Sequence, residues 1–233
     1  CRAGRSVNQI FNIHGGIHPP ERKELSNPGR VIDATTPSKL VLPITQHIGA
    51  PARPIVEVGD SVLGGQMVAE AQGPVSVPVH APSSGTVTAI EARAVPHASG
   101  LTETCIEITL DGLDQSIAYE GVEDWRAQSK TLLLERIRLA GVTGLGGGGF
   151  PTAIKLASDR DKGIHTLIIN GTECEPYITA DDTVMQCFAQ KIVEGSEILA
   201  HIVGAQTVLF AIEDNKPEAT DAMRQAAAAL DMA

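Results

Sequence analysis

The chain has 233 residues, of which 42% are hydrophobic and only 3% aromatic, and it carries a net charge of −10. That apolar content excludes a disordered chain, and the length suffices for one large domain or two modest ones. Scarce aromatics and an acidic balance exclude a surface built to stack or neutralise nucleic acid. The charge is uneven: residues 1–40 hold six basic and three acidic side chains, for +3, while the remainder sums to −13. A basic arm could face an acidic partner or an anionic membrane surface, though on only three charges. No run approaches the ~18 consecutive apolar residues of a membrane span, and no signal-peptide pattern is visible. The expectation is a soluble, cytoplasmic chain. Cys1, Cys105, Cys174 and Cys187 show no C-x-x-C spacing, so neither an internal zinc or iron–sulfur motif nor a disulfide framework is expected. No methionine begins the chain, and Ala226 to Leu230 still read as helix near its end, which suggests a piece of a longer protein.

Residues 1–39 are rich in turn formers, with Gly15-Gly16, Pro19-Pro20 and Asn27-Pro28-Gly29, and predict an extended arm ordered by contact. His14 and His18 have a spacing that binds metal on a helix, but the glycines between them and the prolines after them oppose a helix. They read as packing or hydrogen-bonding residues. Over residues 40–115, short β-branched runs alternate with glycine turns: Lys39 to Pro43, Ile55 to Asp60, Gln66 to Ala69, and His80 to Ile90. Short strands at regular spacing predict a small all-β sandwich or barrel.

From about residue 129 the period becomes helical. Ser129 can cap a helix running through Ala140, with Gly141 as its stop and Leu133, Ile137 and Ala140 on the inner face. A glycine loop follows, then a short helix after Pro151 and a buried strand, Thr166 to Ile169, ending at Asn170. A long helix from about Asp182 to Val203 comes next, with Met185, Ala189, Ile192, Leu199 and Val203 inward and Gly204 beyond its end. Asp181 and Asp182 read as its caps rather than as metal ligands. Thr207 to Ile212 is a second buried strand, and Pro217 opens the last helix. Strand, helix, strand, helix predicts a parallel α/β sheet from residue 116 to 233, with Asn170 and Glu213 at one edge.

Two segments carry the chemistry. Gly144-Leu145-Gly146-Gly147-Gly148-Gly149-Phe150-Pro151 packs five glycines into six positions and leads into a helix-like stretch with Lys155. Glycine lets the backbone approach a ligand and direct N–H groups at it, and a helix N-terminus favours an anion. Asn170-Gly171-Thr172-Glu173-Cys174-Glu175-Pro176-Tyr177 places polar groups where a strand ends, the edge at which open α/β sheets bind ligands. A glycine loop, a lysine and two polar strand ends suggest a planar, hydrogen-bonding cofactor with an anionic tail. The usual dinucleotide fingerprint is absent, since the loop follows a helix rather than a strand. Nothing marks Cys174 as reactive.

Three resemblances follow from these residues. Val58-Gly59-Asp60-Ser61-Val62 with Gly64-Gly65-Gln66, then Ala81-Pro82 and Gly85-x-Val87, resemble the halves of a biotinyl/lipoyl-type barrel-sandwich hybrid domain. The hairpin expected between them, Gln72 to Pro78, lacks the lysine that a carrier domain modifies. Gly144, Gly146, Gly147, Gly149, Phe150, Pro151, Thr152 and Lys155, with Asn170, Glu173, Glu175 and Pro176, resemble the flavin-binding subunit of complex I. Leu145 stands where that family has arginine, and Thr172 where it has aspartate. Those two residues, together with Phe11 to Pro20 and the Ile212-Glu213-Asp214-Asn215-Lys216-Pro217 run, are similar to the RnfC component of the Rnf (Rsx) electron transport complex.

The resemblance implies a peripheral subunit, on the cytoplasmic side of a bacterial inner membrane, in a complex moving electrons between NADH and ferredoxin with coupled ion translocation. It implies an FMN and NADH site here, with two 4Fe-4S clusters in a later ferredoxin-like segment, and other subunits of the complex as partners. Asn170 would address the isoalloxazine's polar edge, with Thr172 and Glu173 beside it. The glycine loop and Lys155 would line the cleft, Glu175 and Phe150 would contact the nicotinamide nucleotide, and Glu213 would close the site. Leu145 and Thr172 leave a second reading, an assembly or docking subunit whose flavin pocket has degenerated.

Overall fold

The computed structural model describes residues 14–17, 19–27, 31–97, 99–145, 148–157 and 163–230. These fall into two compact units, one within residues 34–158 and one formed by the described parts of 1–33 and 159–233.

The first unit holds seven strands: β1 (Lys39–Pro43), β2 (Arg53–Pro54), β3 (Ser61–Val62), β4 (Met67–Glu70), β5 (Val79–His80), β6 (Gly85–Ala94) and β7 (Thr102–Leu110). Every pairing is antiparallel, in a four-stranded sheet ordered β1-β7-β6-β3 and a three-stranded sheet ordered β2-β4-β5. The sheets share one core, to which Leu42, Val87, Ile106 and Ile108 come from the first and Val68, Ala69 and Val79 from the second. Burial of this alternating β-branched set is what holds two small sheets together. The segment Ile55 to Asp60, expected as strand, is a loop instead. Asp60 accepts the Glu57 N–H on its side chain (2.8 Å), and its own N–H returns to Glu57 O (3.1 Å), a turn that competes with pairing. Gly59 adopts φ 103° there. The connection between β4 and β5 is the expected lysine-free hairpin, with Ala69 opposite Val79.

In the same unit, α1 (Lys130–Leu139) starts where Ser129 Oγ accepts the Leu132 N–H, and ends before Gly141 at φ 71°. Leu133 is buried, but Ala140, expected on the inner face, is exposed. Gly141 makes the close approach in its place: a Cβ there would stand 2.7 Å from Pro78 O and 3.5 Å from the His80 ring. The short α2 (Thr152–Ala157) follows Pro151.

The second unit contains β8 (Thr166–Gly171), α3 (Ala180–Val203), β9 (Thr207–Ile212) and α4 (Pro217–Ala229). β8 and β9 are parallel, with Thr166 opposite Thr207 and Gly171 opposite Ile212. Met185, Ala189, Val193, Ala219 and Met223 form the core between α3 and α4, with Phe210 and Ile212 against it. Leu199 and Val203, expected inward, are half-buried, and Val193, Ser196, Ala200 and Ile202 take the inner stripe. Gly204 closes α3 at φ 77°, and Pro217 sits in the first turn of α4. Among the described residues, no helix is long and apolar enough to cross a membrane.

Candidate functional site

The parallel register brings two strand ends to one edge. Asn170 pairs with Ala211, and Glu213 emerges two residues further along the neighbouring strand. Asn170 Oδ1 is occupied locally, accepting the Thr172 N–H (3.1 Å) and the Thr172 hydroxyl. No hydrogen bond engages its side-chain N–H groups among the described residues. Gly171 is required by packing, because a Cβ would meet Met185 Sδ at 2.9 Å and Ala211 O at 3.2 Å.

Glu173 is only 3% exposed. Its carboxylate accepts the backbone N–H groups of Asp181 (2.7 Å) and Asp182 (3.4 Å), satisfying first-turn donors of α3 and complementing the helix dipole. The capping role expected of Asp181 and Asp182 thus belongs to Glu173, eight residues before the first of the helix donors it serves. Asp182 instead accepts from Gln186 and Asn27. Glu175 is exposed in the same loop.

Glu213 is the centre of a small charged network. It pairs with Lys216, whose side chain is 2% exposed and also lies 3.4 Å from Asn215 Oδ1, and it accepts the Cys174 thiol. Burial pushes the Glu213 carboxyl upward. The hydrogen bonds from Lys216 and Cys174 and the charges of Lys216 and Lys23 outweigh that, leaving it below the usual carboxylate range. The same contact raises Cys174: hydrogen bonding to Glu213, then its negative charge, disfavours the thiolate.

A cavity of about 110 Å³ lies beside this edge, lined by apolar side chains including Ile169, Met185, Phe210 and Met223, with Asn170 and Asp181 among its members. It is well below the ~300–1,000 Å³ of an enclosed ligand pocket. A cofactor at these strand ends would lie over the edge, not inside it.

The glycine loop belongs to the other unit. It is closed by hydrogen bonds from Gly144 N to Phe150 O and from Thr152 N to Val142 O, each 3.0 Å. Gly149 has φ 51°, its Cβ position is 3.1 Å from His47 Cα, and its carbonyl accepts the Ile48 N–H at 3.1 Å. His47 is itself buried, with Nδ1 3.0 Å from Ile48 O and Nε2 3.2 Å from the Val77 N–H. With the proton on Nδ1 the ring donates to Ile48 O and accepts the Val77 N–H, while Val77 O, also 3.2 Å from Nε2, receives no donor from it. Gly144 and Gly148 are different: neither has a positive φ, and a Cβ would meet nothing closer than 3.8 Å at Gly144 and nothing within 4 Å at Gly148. Among the described residues, neither the backbone nor a neighbouring group requires glycine at those two places. Leu145 is 94% exposed, Phe150 lies at the surface, and Lys155 is on the exposed side of α2. Gly146 and Gly147 lie outside the described residues, as do Cys1 and His18 of the amino-terminal arm.

The structure therefore gathers Asn170, Thr172, Glu173, Glu175 and Glu213 within the unit of β8 and β9, and Gly144, Gly149, Phe150 and Lys155 within the unit of the antiparallel sheets. Lys23, Lys216, Gly171 and His47 were not singled out by sequence reasoning. Lys216 had a signal, its spacing of three from Glu213; Lys23 and His47 had none, since their partners are distant in the chain. The strand edge suits a planar, hydrogen-bonding heterocycle such as that of FMN: the Asn170 side-chain N–H groups lie there beside the Thr172 side chain that holds its oxygen.

Comparison with protein families agrees. Residues 11–113 match the RnfC barrel sandwich hybrid domain, and residues 137–233 match the Nuo51 FMN-binding domain. These are the domains of a flavin-binding electron-transport subunit. The antiparallel two-sheet unit, the parallel strand pair and the polar edge at Asn170 are accordingly parts of an RnfC-like subunit that resembles the flavin-binding subunit of complex I.

Proposed function

We propose that this chain is the FMN- and NADH-binding part of a peripheral subunit, on the cytoplasmic side of a bacterial inner membrane. The complex passes electrons between NADH and ferredoxin with coupled ion translocation. The observation that carries this is the parallel register of β8 and β9, which sets Asn170 and Glu213 at one sheet edge inside the segment matching the FMN-binding domain. When bound, FMN takes electrons in pairs and can pass them on singly.

Each residue's part follows from its own surroundings. With its oxygen held by Thr172, Asn170 offers N–H donors and suits the carbonyl edge of the isoalloxazine. Thr172 fixes that amide. Glu173 works from beneath, holding the first turn of α3, while exposed Glu175 is available to a nicotinamide nucleotide. Glu213 keeps its negative charge beside Lys216 and limits the edge on the second strand. Gly144, Gly146, Gly147 and Gly149, with Lys155, suit the anionic part of a nucleotide, and Phe150 a planar ring. The 4Fe-4S clusters would be held elsewhere, because a cluster needs about four convergent thiolates. Cys105 is buried, whereas Cys174 and Cys187 are exposed. Other subunits of the complex and a ferredoxin-like carrier are the partners.

The experiment is an absorption spectrum of the full-length protein with FMN, before and after NADH. The expected result is a bound flavin bleached by NADH, with Asn170→Ala weakening FMN by about 0.5–1.5 kcal/mol for one lost hydrogen bond. A second reading draws on Leu145, an exposed apolar side chain at the family's arginine position. A protein that stays colourless after FMN soaking, yet assembles normally when Asn170 is replaced, would be a docking subunit.

A further inference from the structure

The amino-terminal arm contributes a cation to the loop that follows β8. Lys23 opens a single turn of helix, and its side chain is 15% exposed. Its ammonium donates to three backbone carbonyls of one loop: Glu173 O, Glu175 O at 3.3 Å and Ile178 O at 2.8 Å. It also stands 4.0 Å from the Glu173 carboxylate. A lysine has three N–H donors and no acceptor, so three carbonyls exhaust them. The loop in turn brings three carbonyl dipoles and one buried carboxylate toward one point, an arrangement that only a cation stabilises.

The surrounding contacts run in the same direction. Tyr177 N–H donates to Glu21 O at 2.8 Å, Asn215 Nδ2 donates to Glu21 Oε2 at 2.7 Å, and Asn27 Nδ2 donates to Asp182 at 3.0 Å. Three residues other than glycine have positive φ among the described residues, and two of them, Arg22 (49°) and Tyr177 (66°), flank this junction. Left-handed backbone at such residues persists only where neighbours hold it. Residues 19–27 lie in the segment matching the RnfC domain, while the loop they hold lies in the segment matching the Nuo51 domain.

We propose that Lys23 is a positioning residue: it fixes the loop from Thr172 to Thr179 so that Asn170, Thr172 and Glu175 are preorganised for the ligand. The functional half of this statement rests on the flavin reading above; the ordering of the loop does not. Preorganisation raises affinity by removing the cost of ordering a loop at the moment of binding.

The test compares wild type, Lys23→Met and Lys23→Arg in the full-length protein by amide hydrogen exchange and by FMN titration. In Lys23→Met the amides of Tyr177, Asp181 and Asp182 are expected to exchange faster, while α3 from Ala189 to Ala200 keeps its protection. FMN binding is expected to weaken about tenfold, the scale of loss when a supporting contact is removed from a ligand site. Lys23→Arg, which keeps the cation, restores part of both. Unchanged exchange in Lys23→Met overturns the proposal, as does loosening of the loop with unaltered FMN affinity. Collapse of protection throughout α3 and α4 overturns it too, since Lys23 would then hold the domain and not the loop. If wild type binds no FMN, the functional reading fails, and with it the ligand half of the proposal, while the exchange pattern still decides whether Lys23 orders the loop.

Discussion

Glu213 shows how one carboxylate sets the character of its neighbours. Its ion pair accounts for a lysine, Lys216, that is almost fully buried, and its hydrogen bond holds Cys174 as a thiol. Only the thiolate reacts with alkylating agents, so removing the charge while keeping the shape reverses the effect. Glu213→Gln is therefore expected to speed alkylation of Cys174, while Cys187, exposed on α3, reacts as before; peptide mass spectrometry after timed iodoacetamide labelling reads both. Equal Cys174 rates in the two proteins would rule out control by Glu213. Gly171 makes a second residue-scale prediction. Its Cβ position is 2.9 Å from Met185 Sδ and 3.2 Å from a backbone oxygen, so Gly171→Ala overpacks the joint between β8 and α3. A loss of about 1–3 kcal/mol in urea unfolding is expected, the usual cost of forcing extra atoms into a packed site.

At the scale of elements, β7 carries an acid on the side of its sheet opposite the core. Ile106 and Ile108 are fully buried, yet Glu107 between them is only 6% exposed. Lys39 from β1 (2.8 Å), Thr88 (2.9 Å) and Arg93 (2.9 Å) from β6 cover it, tying three adjacent strands through one carboxylate. The hydrogen bond from Lys39 and then that from Thr88 lower its pKa below the ordinary 4.5. A carboxyl whose pKa is lower folded than unfolded binds protons more readily in the unfolded chain, so it adds stability above the unfolded value. That contribution is complete above about pH 4.5 and disappears as pH falls through the lower folded value. Urea unfolding between about pH 3 and 7 should show this slope in wild type. In Glu107→Gln the slope should be shallower on the acid side, and an identical profile would mean that the cluster does not hold the strands.

For the molecule as a whole, the antiparallel unit packs its hairpin against the segment that holds the glycine loop. The hairpin between β4 and β5 has no lysine; instead its Val77 N–H meets the His47 ring, and the neighbouring Ile48 N–H holds Gly149 of the glycine loop. Val75 O accepts the Ala50 N–H at 3.0 Å, and Gly49 packs against Val75 so closely that a Cβ would stand 2.1 Å from that oxygen. The segment that a carrier domain leaves free to swing is here built into a wall behind the glycine loop. Intact mass spectrometry of protein from its native host is expected to find no biotinyl or lipoyl increment on residues 40–115. Such an increment would mean that the hairpin serves as a carrier after all.

By itself the amino-acid sequence determined the features whose physics is local. Ser129 as cap, Gly141 and Gly204 as stops, Pro217 as an opener and two apolar strands ending in polar residues are each set within a few residues of chain, but those strands, expected buried, leave Ile168 and Leu209 exposed among the described residues. The motif spacing also made the flavin family legible, and the family matches over residues 11–113 and 137–233 bear it out. Only tertiary structure decided which groups those local signals left available. Glu173 reads as a ligand to a cofactor but turns inward to cap α3, because buried helix N–H groups need an acceptor and the chain returns past it. Ala140 keeps the helical period yet lies outside, because the helix end closes through Gly141. Lys23 is 150 residues from Glu173, and no periodicity connects them. Capping and amphipathic burial act over one or two turns, whereas three carbonyls around an ammonium exist only after distant segments have met.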